Sequence, residues 1–287
     1  MRLTGLLSIA LAIVLSGCAH VEPGLKVEVP EKPNPWTHLK FNNNPDNFQF
    51  AIVADRTGKH RPGVFAEAVE KLNLLNPQFV MSIGDFIEGH SEDEAELNRQ
   101  WNEFDGLTNK LRMPFFYVPG NHDISNAAMA EIWQKRFGRS YYHFIYRDVL
   151  FLCLNTEDTD SGYISDEQFE YFRKVINANR GVRWTLVFLH KPLWWNPETL
   201  EYWQKFVALL GHRPYTVFAG HRHTYDKSVY DGRRYYILAT TGAGNKPASL
   251  DECKFDHIVW VTMTDEGPVL ANLLLEGILN DEPCPQQ

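Results

Sequence analysis

Short apolar runs that each stop on a group able to bind a cation or move a proton recur along this chain. Phe48 to Ala54 precedes Asp55, Phe79 to Ile83 precedes Gly84-Asp85, and Phe115 to Val118 leads into Gly120-Asn121-His122-Asp123. Trp184 to Leu189 precedes His190-Lys191-Pro192, and Thr216 to Ala219 precedes Gly220-His221-Arg222-His223. An apolar run of about 4–8 residues bounded by turn formers reads as a buried strand. Strands of one sheet that end in polar residues bring those residues out together at one edge, so the five segments are expected to meet there.

Helical spacing fills the gaps between these strands. Gly63 to Leu75, Glu92 to Leu111 and Ala127 to Phe137 carry apolar residues at helical intervals, Ser165-Asp166-Glu167-Gln168 begins another helix, and Glu198 to Leu210 is a fifth. Tyr141 to Tyr146 and Val149 to Leu154, joined at Arg147-Asp148, read as a hairpin. Beyond residue 211 strands dominate, with Tyr225 to Tyr230, Tyr235 to Ala239, His257 to Met263 and Val269 to Leu275 following Thr216 to Ala219. Strands alternating with helices, then a strand-rich second half, predict an α/β (α+β) chain in which two mixed sheets pack face to face with helices outside.

At 287 residues and 44% hydrophobic, the chain is large enough for a core that excludes water. Its formal charge of -8 becomes -9 without residues 1–17, which carry Arg2 alone, and an acidic balance disfavours sequence-independent nucleic-acid binding. No Gly-x-Ser-x-Gly elbow occurs, which removes support for a serine hydrolase.

The polar residues at the strand ends have the chemistry of metal ligands. Carboxylate, imidazole and amide oxygen donors hold a hard metal at about 2.0–2.2 Å, and Asp55, Asp85, Asn121, His190, His221 and His223 supply all three types. His221 and His223 are two apart, so in extended backbone both rings would leave one face and reach adjacent ions. Asp85 has two oxygens with which to bridge ions about 3.5–4 Å apart, the spacing at which two metals activate water and clamp a phosphate.

These five blocks, in this order, resemble the calcineurin-like metallophosphoesterase family across residues 48–276. The resemblance implies a four-layer αββα sandwich and hydrolysis of a phosphomonoester, phosphodiester or pyrophosphate by a hydroxide activated by two metals, among manganese, iron and zinc. It implies that Asp55, Asp85 and His223 hold the first metal, and Asp85, Asn121, His190 and His221 the second. His122 would protonate the leaving oxygen or stabilise the phosphoryl charge, with Asp123 orienting it. An imidazole held by a carboxylate is suited to that work.

One block departs from the family pattern. Where the family has Asp-x-His, this chain has Asp55-Arg56-Thr57, so the first metal lacks an imidazole. The candidate replacements are a second water, Glu88 or His60, the two residues by donor type and spacing; a purple-acid-phosphatase-like relative would place a tyrosine ligand at position 88. Arg56 has two readings, a bidentate clamp on a phosphate oxygen or a structural ion pair. Lys59 and Arg61 either attract an anionic substrate or form a solvated basic loop. Trp194 and Trp195 either line or cap the cleft, where one would stack a base, sugar or other planar group, or belong to the core or rim. His90 reads as solvent-facing, and His143, His212 and His257 as structural. Thr240-Thr241-Gly242-Ala243-Gly244 resembles a family loop near the metals, and its glycines indicate a tight turn.

The N-terminus reads as an export signal. Residues 1–17 hold one basic residue and an apolar run from Leu6 to Leu15, too short to favour a permanent span. Leu15-Ser16-Gly17-Cys18 resembles the bacterial lipobox, which implies cleavage before Cys18 and lipidation of its sulfur and new N-terminus. Several acyl chains anchor stably where one does not. The expected location is therefore the bacterial cell envelope, with Ala19 pointing to the outer membrane, facing the periplasm or the surface. Residues 18–47, with five of the sixteen prolines in 19–47, read as a tether, and 277–287 as a tail. Of the remaining thiols, Cys153 reads as a buried core residue, while Cys253 and Cys284 have the option of pairing.

The expected partners are a phosphorylated small molecule and, through Cys18, a membrane. The alternative is a non-catalytic envelope binding lipoprotein that keeps the fold with a degenerate metal site. The missing imidazole favours that alternative, and the intact Asn121-His122-Asp123 block favours the enzyme.

Overall fold

The computed structural model describes residue 25 and residues 36–158, 164–244, 251–275 and 277–280. The expected signal segment, Cys18, the tether up to residue 35 apart from residue 25, and Cys284 with the tail from residue 281 lie outside the described residues. Residues 46–287 cluster as one compact unit. No helix among the described residues is long and apolar enough to cross a membrane.

Strands and helices alternate through β1 (Phe48–Val53), α1 (Val64–Leu75), β2 (Val80–Ser82), α2 (Glu94–Thr108), β3 (Phe115–Phe116) and α3 (Ala127–Phe137). The hairpin β4 (Tyr142–Tyr146) and β5 (Val149–Cys153) follows, then α4 (Asp166–Ala178), β6 (Trp184–Phe188), α5 (Pro197–Leu210) and β7 (Tyr215–Ala219). The remainder is β8 (Asp226–Tyr230), β9 (Arg233–Ile237), β10 (His257–Thr264), β11 (Gly267–Leu274) and β12 (Gly277–Asn280).

Two six-stranded mixed sheets result, in the orders β12-β11-β10-β1-β2-β3 and β4-β5-β6-β7-β9-β8. Strand alternation assigns the two faces of each sheet. Along β1 and just beyond, Phe48, Phe50, Ile52 and Ala54 enter the core between the sheets, while Ala51 and Val53 face α1 and α2. Leu186 and Phe188 of β6 point to the same central core, and Val187 and Leu189 turn out towards α4 and α5. The central layer is aromatic, with Phe50 stacked on Phe79 at 5.2 Å and Phe188 on Phe218 at 5.2 Å. Removing such a fully buried ring costs about 3–5 kcal/mol. Helices outside both sheets complete the four-layer αββα sandwich.

Local chemistry sets several element ends. Asp93 caps α2 by accepting from the N–H groups of Ala95 and Glu96, so the helix starts at Glu94 rather than at Glu92. β3 stops at Phe116 instead of running to Val118 because the Ser82 hydroxyl donates to the Phe116 carbonyl and accepts the Val118 N–H at 3.0 Å. That frees the chain for the Gly120 loop. Arg147 and Asp148, at φ 46° and 58°, make the paired left-handed turn that suits a two-residue hairpin. The first sheet continues past residue 276, since β12 pairs antiparallel with β11 at Leu274↔Gly277 through Ala271↔Asn280. The expected tail thus begins as an edge strand.

Candidate metal centre

The ends of β1, β2, β6 and β7, with the loop after β3, meet at one edge of the sandwich, and their polar residues gather into two groups. Ligand atoms of Asp85, His190 and His221 lie within 4.8 Å of one another, as do those of Asp55, Asp85 and His223. Asp85 belongs to both. Asn121 joins the first of these, with its Oδ1 3.1 Å from His190 Nε2.

Hydrogen bonds fix the orientation of each ring. His190, fully buried, donates its Nδ1–H to the Ile83 carbonyl at 2.8 Å, which leaves the Nε2 lone pair pointing inward. There it meets Asp85 Oδ2 at 3.2 Å, Asn121 Oδ1 at 3.1 Å and His221 Nδ1 at 3.2 Å. Four acceptors converging on one point require a cation. Burial works to lower the His190 pKa, yet Asp85 and Asp55 raise it to about 10, so a proton satisfies the site when no metal does. Burial works to raise Asp85, but His190 and His122 hold it at about 2. Burial and the neighbouring His190 charge push His221 down to about 4, which keeps it neutral and able to ligate.

In the other group, the fully buried Asp55 uses Oδ1 to accept the His221 N–H at 2.9 Å and lies 3.4 Å from His223 Nε2. Its second oxygen, Oδ2, is buried without a hydrogen-bond partner among the described residues. A bare carboxylate oxygen in that position is costly unless a cation meets it. The residues present therefore fit a pair of metal ions: hard oxygen and imidazole donors, a shared carboxylate and an orphaned buried oxygen.

Backbone strain accompanies the ligands. Asp85, His221 and His223 adopt φ values of 63°, 71° and 53°, in the left-handed region that costs a non-glycine residue about 1–3 kcal/mol. The extended backbone expected at His221 and His223 is thus absent. The turn instead sends His221 to one group and His223 to the other. The glycines before the ligands are dictated by close approach, since a Cβ at Gly120 would press on Asp85 Oδ1 and one at Gly220 on Asp55 Oδ2.

Several candidate residues have other roles. Asp123, expected to orient His122, is fully buried and accepts backbone N–H groups from Asp85 at 2.7 Å, Phe86 at 2.8 Å, Gly120 at 2.8 Å and Ile87 at 3.4 Å. It locks two ligand loops together. Burial and the Asp85 charge push its pKa up to about 8, against the pull of those donors. His122 is oriented by the Glu88 carbonyl, to which its Nδ1–H donates at 2.7 Å, and its own N–H donates to Asp85 Oδ1 at 3.0 Å.

Arg56 is not a phosphate clamp. Its guanidinium, 4% exposed, donates to the Phe86 carbonyl at 2.7 Å and to Glu103 of α2, and lies over the Phe104 ring. These partners are those of a structural ion pair. Glu88 and His60 lie outside the two groups and engage each other. Glu88 accepts from the His60 N–H at 2.8 Å and the Lys59 N–H at 3.1 Å, and pairs with His60 Nδ1 at 2.9 Å. Against partial burial, which raises it, the Thr57 hydroxyl and the His60 and Lys59 contacts hold the Glu88 pKa at about 2. The buried Thr57 hydroxyl approaches Glu88 without reaching full hydrogen-bond geometry.

Around the rim, Arg61 pairs with Asp256, Lys59 is exposed, and Lys191 pairs with Glu157 at 2.7 Å. Trp194 is a core residue packed on Trp203 and Tyr235, whereas Trp195 is exposed. His90 stands against His122, ring centroids 4.4 Å apart. The 240–244 segment abuts the first block, with the Thr241 N–H donating to the Asp55 carbonyl at 2.9 Å and the Gly244 N–H to the Gly58 carbonyl at 3.2 Å. His257 is structural, accepting the Ala239 N–H on Nε2 and pairing with Asn272 through Nδ1.

A four-layer sandwich with a carboxylate-bridged Asp/His centre at its strand ends defines a hydrolase of the dimetal type. A family model for calcineurin-like phosphoesterases matches residues 26–260, and the chain belongs to that family. Among curated proteins, it is 24% identical over 202 residues to a 3′,5′-cyclic adenosine monophosphate phosphodiesterase of Haemophilus influenzae, covering 65% of this chain and 69% of the relative. It is 29% identical over 145 residues to the serine/threonine-protein phosphatase CPPED1 of Bos taurus, where the match spans 44% of each protein. Among solved structures, a dimetal phosphatase from Danio rerio superposes with a TM-score of 0.63 at 13% identity, over 82% of this chain and 99% of that one. A purple acid phosphatase from yellow lupin gives 0.57 at 14% identity, over 84% of this chain and 57% of that one.

Proposed function

We propose that this chain hydrolyses phosphomonoesters, phosphodiesters or pyrophosphates in the bacterial cell envelope, anchored by lipid on Cys18. The observation that carries the catalytic part is the convergence of three lone-pair donors on His190 Nε2, itself the fourth, beside the orphaned Asp55 Oδ2. Asp55, Asp85 and His223 would hold one ion, and Asp85, Asn121, His190 and His221 the other. Two such ions neutralise phosphoryl charge and make a water molecule acidic enough to attack at neutral pH.

The protein's own residues supply the rest. His122 presents Nε2 on the side where His223 ends, since a Cβ at Gly58 would stand 3.7 Å from His122 Nε2 and 3.6 Å from His223 Nε2. With Nδ1–H committed to the Glu88 carbonyl, Nε2 is the position from which a proton reaches the leaving oxygen. Asp123 keeps the loops of Asp85 and Asn121 at fixed separation through backbone N–H groups and touches no reacting atom. The envelope location is supported by the Leu15-Ser16-Gly17-Cys18 pattern.

Protein reloaded with manganese, iron or zinc and assayed on aryl mono- and diesters and pyrophosphate tests this reading. His122→Ala is expected to lower kcat by about 10²–10⁴-fold with bound metal unchanged. Full metal occupancy with no turnover of any of these substrates would instead establish a non-catalytic binding protein, the outcome that Thr57 in place of an imidazole favours. For the anchor, incorporation of labelled fatty acid should vanish in Cys18→Ser; persistence of the label in that variant would rule the assignment out.

A further inference from the structure

Two exposed residues close in sequence to the ligands belong to neither ligand group. Trp195 follows His190 by five positions, and its N–H donates to the Pro192 carbonyl at 2.9 Å, a turn that leaves the indole 45% exposed. Arg222 stands between His221 and His223, and its guanidinium carbon lies 4.8 Å from the centroid of a Trp195 ring. The neighbouring cations Arg56, Arg61 and Lys191 are neutralised by Glu103, Asp256 and Glu157. Among the described residues no carboxylate pairs with Arg222, and its contact is the indole face.

We propose that Trp195 and Arg222 form a leaving-group subsite, so that the substrate is a phosphate ester whose leaving group carries a planar ring, aryl or nucleoside. This rests on the hydrolase reading above. Both groups are flat. A guanidinium over an indole face presents flat surface to a third ring and N–H groups to an ester or sugar oxygen. The stack is formed before substrate arrives, which reduces the ordering cost of binding. Both residues are joined directly to ligand loops, because the Trp195 turn starts at Pro192, two residues after His190, and Arg222 is flanked by His221 and His223. Such contacts act on the leaving group rather than on the phosphoryl group, so they appear chiefly in KM.

Trp195→Leu and Arg222→Gln, both at exposed positions, test the subsite with an aryl or nucleoside ester against an alkyl ester of the same type. Each substitution is expected to raise KM for the ring-bearing ester about tenfold, with KM for the alkyl ester and the bound-metal stoichiometry unchanged. A second readout needs no turnover: adenosine monophosphate should bind metal-free wild-type protein in a calorimetric titration more tightly than inorganic phosphate does, and each variant should erase that margin. Equal effects on ring-bearing and alkyl esters, loss of metal in Arg222→Gln, or a margin that survives both substitutions would overturn the subsite. Absence of turnover in the wild type would overturn the hydrolase reading alone, since the margin for adenosine monophosphate reports on the stack independently.

Discussion

The two halves of the centre are built to different standards. At His190, four side chains from separate loops, His190 included, bring lone pairs to one point, and two of them are tied down by a further bond, His190 through its Nδ1–H on the Ile83 carbonyl and Asp85 through the His122 N–H. Around Asp55 there are two carboxylates and one imidazole, an orphaned oxygen, and a buried threonine where the family pattern has histidine. A site with fewer donors holds its ion less firmly. The difference points to the first block as the weak part of the centre.

The shared residue gives the largest expected effect. Asp85→Asn removes the bridging charge from both halves and should lower kcat/KM by about 10³-fold or more, with both metals lost on dialysis. Retention of one firmly held ion would show that the halves are separable and that the bridge matters less than the geometry suggests. Next in size is the asymmetry itself. Chelator titration should strip one equivalent well before the other, and Thr57→His, by adding an imidazole, should tighten the weaker step about tenfold or more. Two equivalents leaving together in the wild type would abolish the distinction.

The smallest effect concerns the block that lacks the imidazole. Arg56→Ala should cost about 1–3 kcal/mol of stability in urea by leaving the Phe86 carbonyl without its donor, with KM within about twofold of wild type. A large rise in KM with unchanged stability would return Arg56 to the substrate.

Much of this was legible in the sequence because it depends on local pattern. Apolar runs of strand length, broken by Gly-Asp, Gly-Asn-His-Asp and Gly-His-Arg-His, mark buried strands whose ends carry ligand types; that pattern predicted two packed sheets with helices outside and the candidate ligands, while the four-layer sandwich came with the family resemblance. What escaped it were questions of direction. Asp123 sits one residue from His122 yet turns to backbone N–H groups, because three amides of the 85–87 loop and that of Gly120 need an acceptor in a dry interior. Arg56 sits one residue from Asp55 yet points at α2, where Glu103 compensates its charge.

The pair Trp194 and Trp195 shows the same divide: adjacent in sequence and alike in chemistry, one fills the core and the other faces the rim. The sequence by itself determined which residue types end which strands, since burial of the strands requires apolar runs and the ligands must follow them. Only the tertiary structure decided which way each polar side chain turns, because neighbours far along the chain supply the donors and charges that make one direction cheaper than the other.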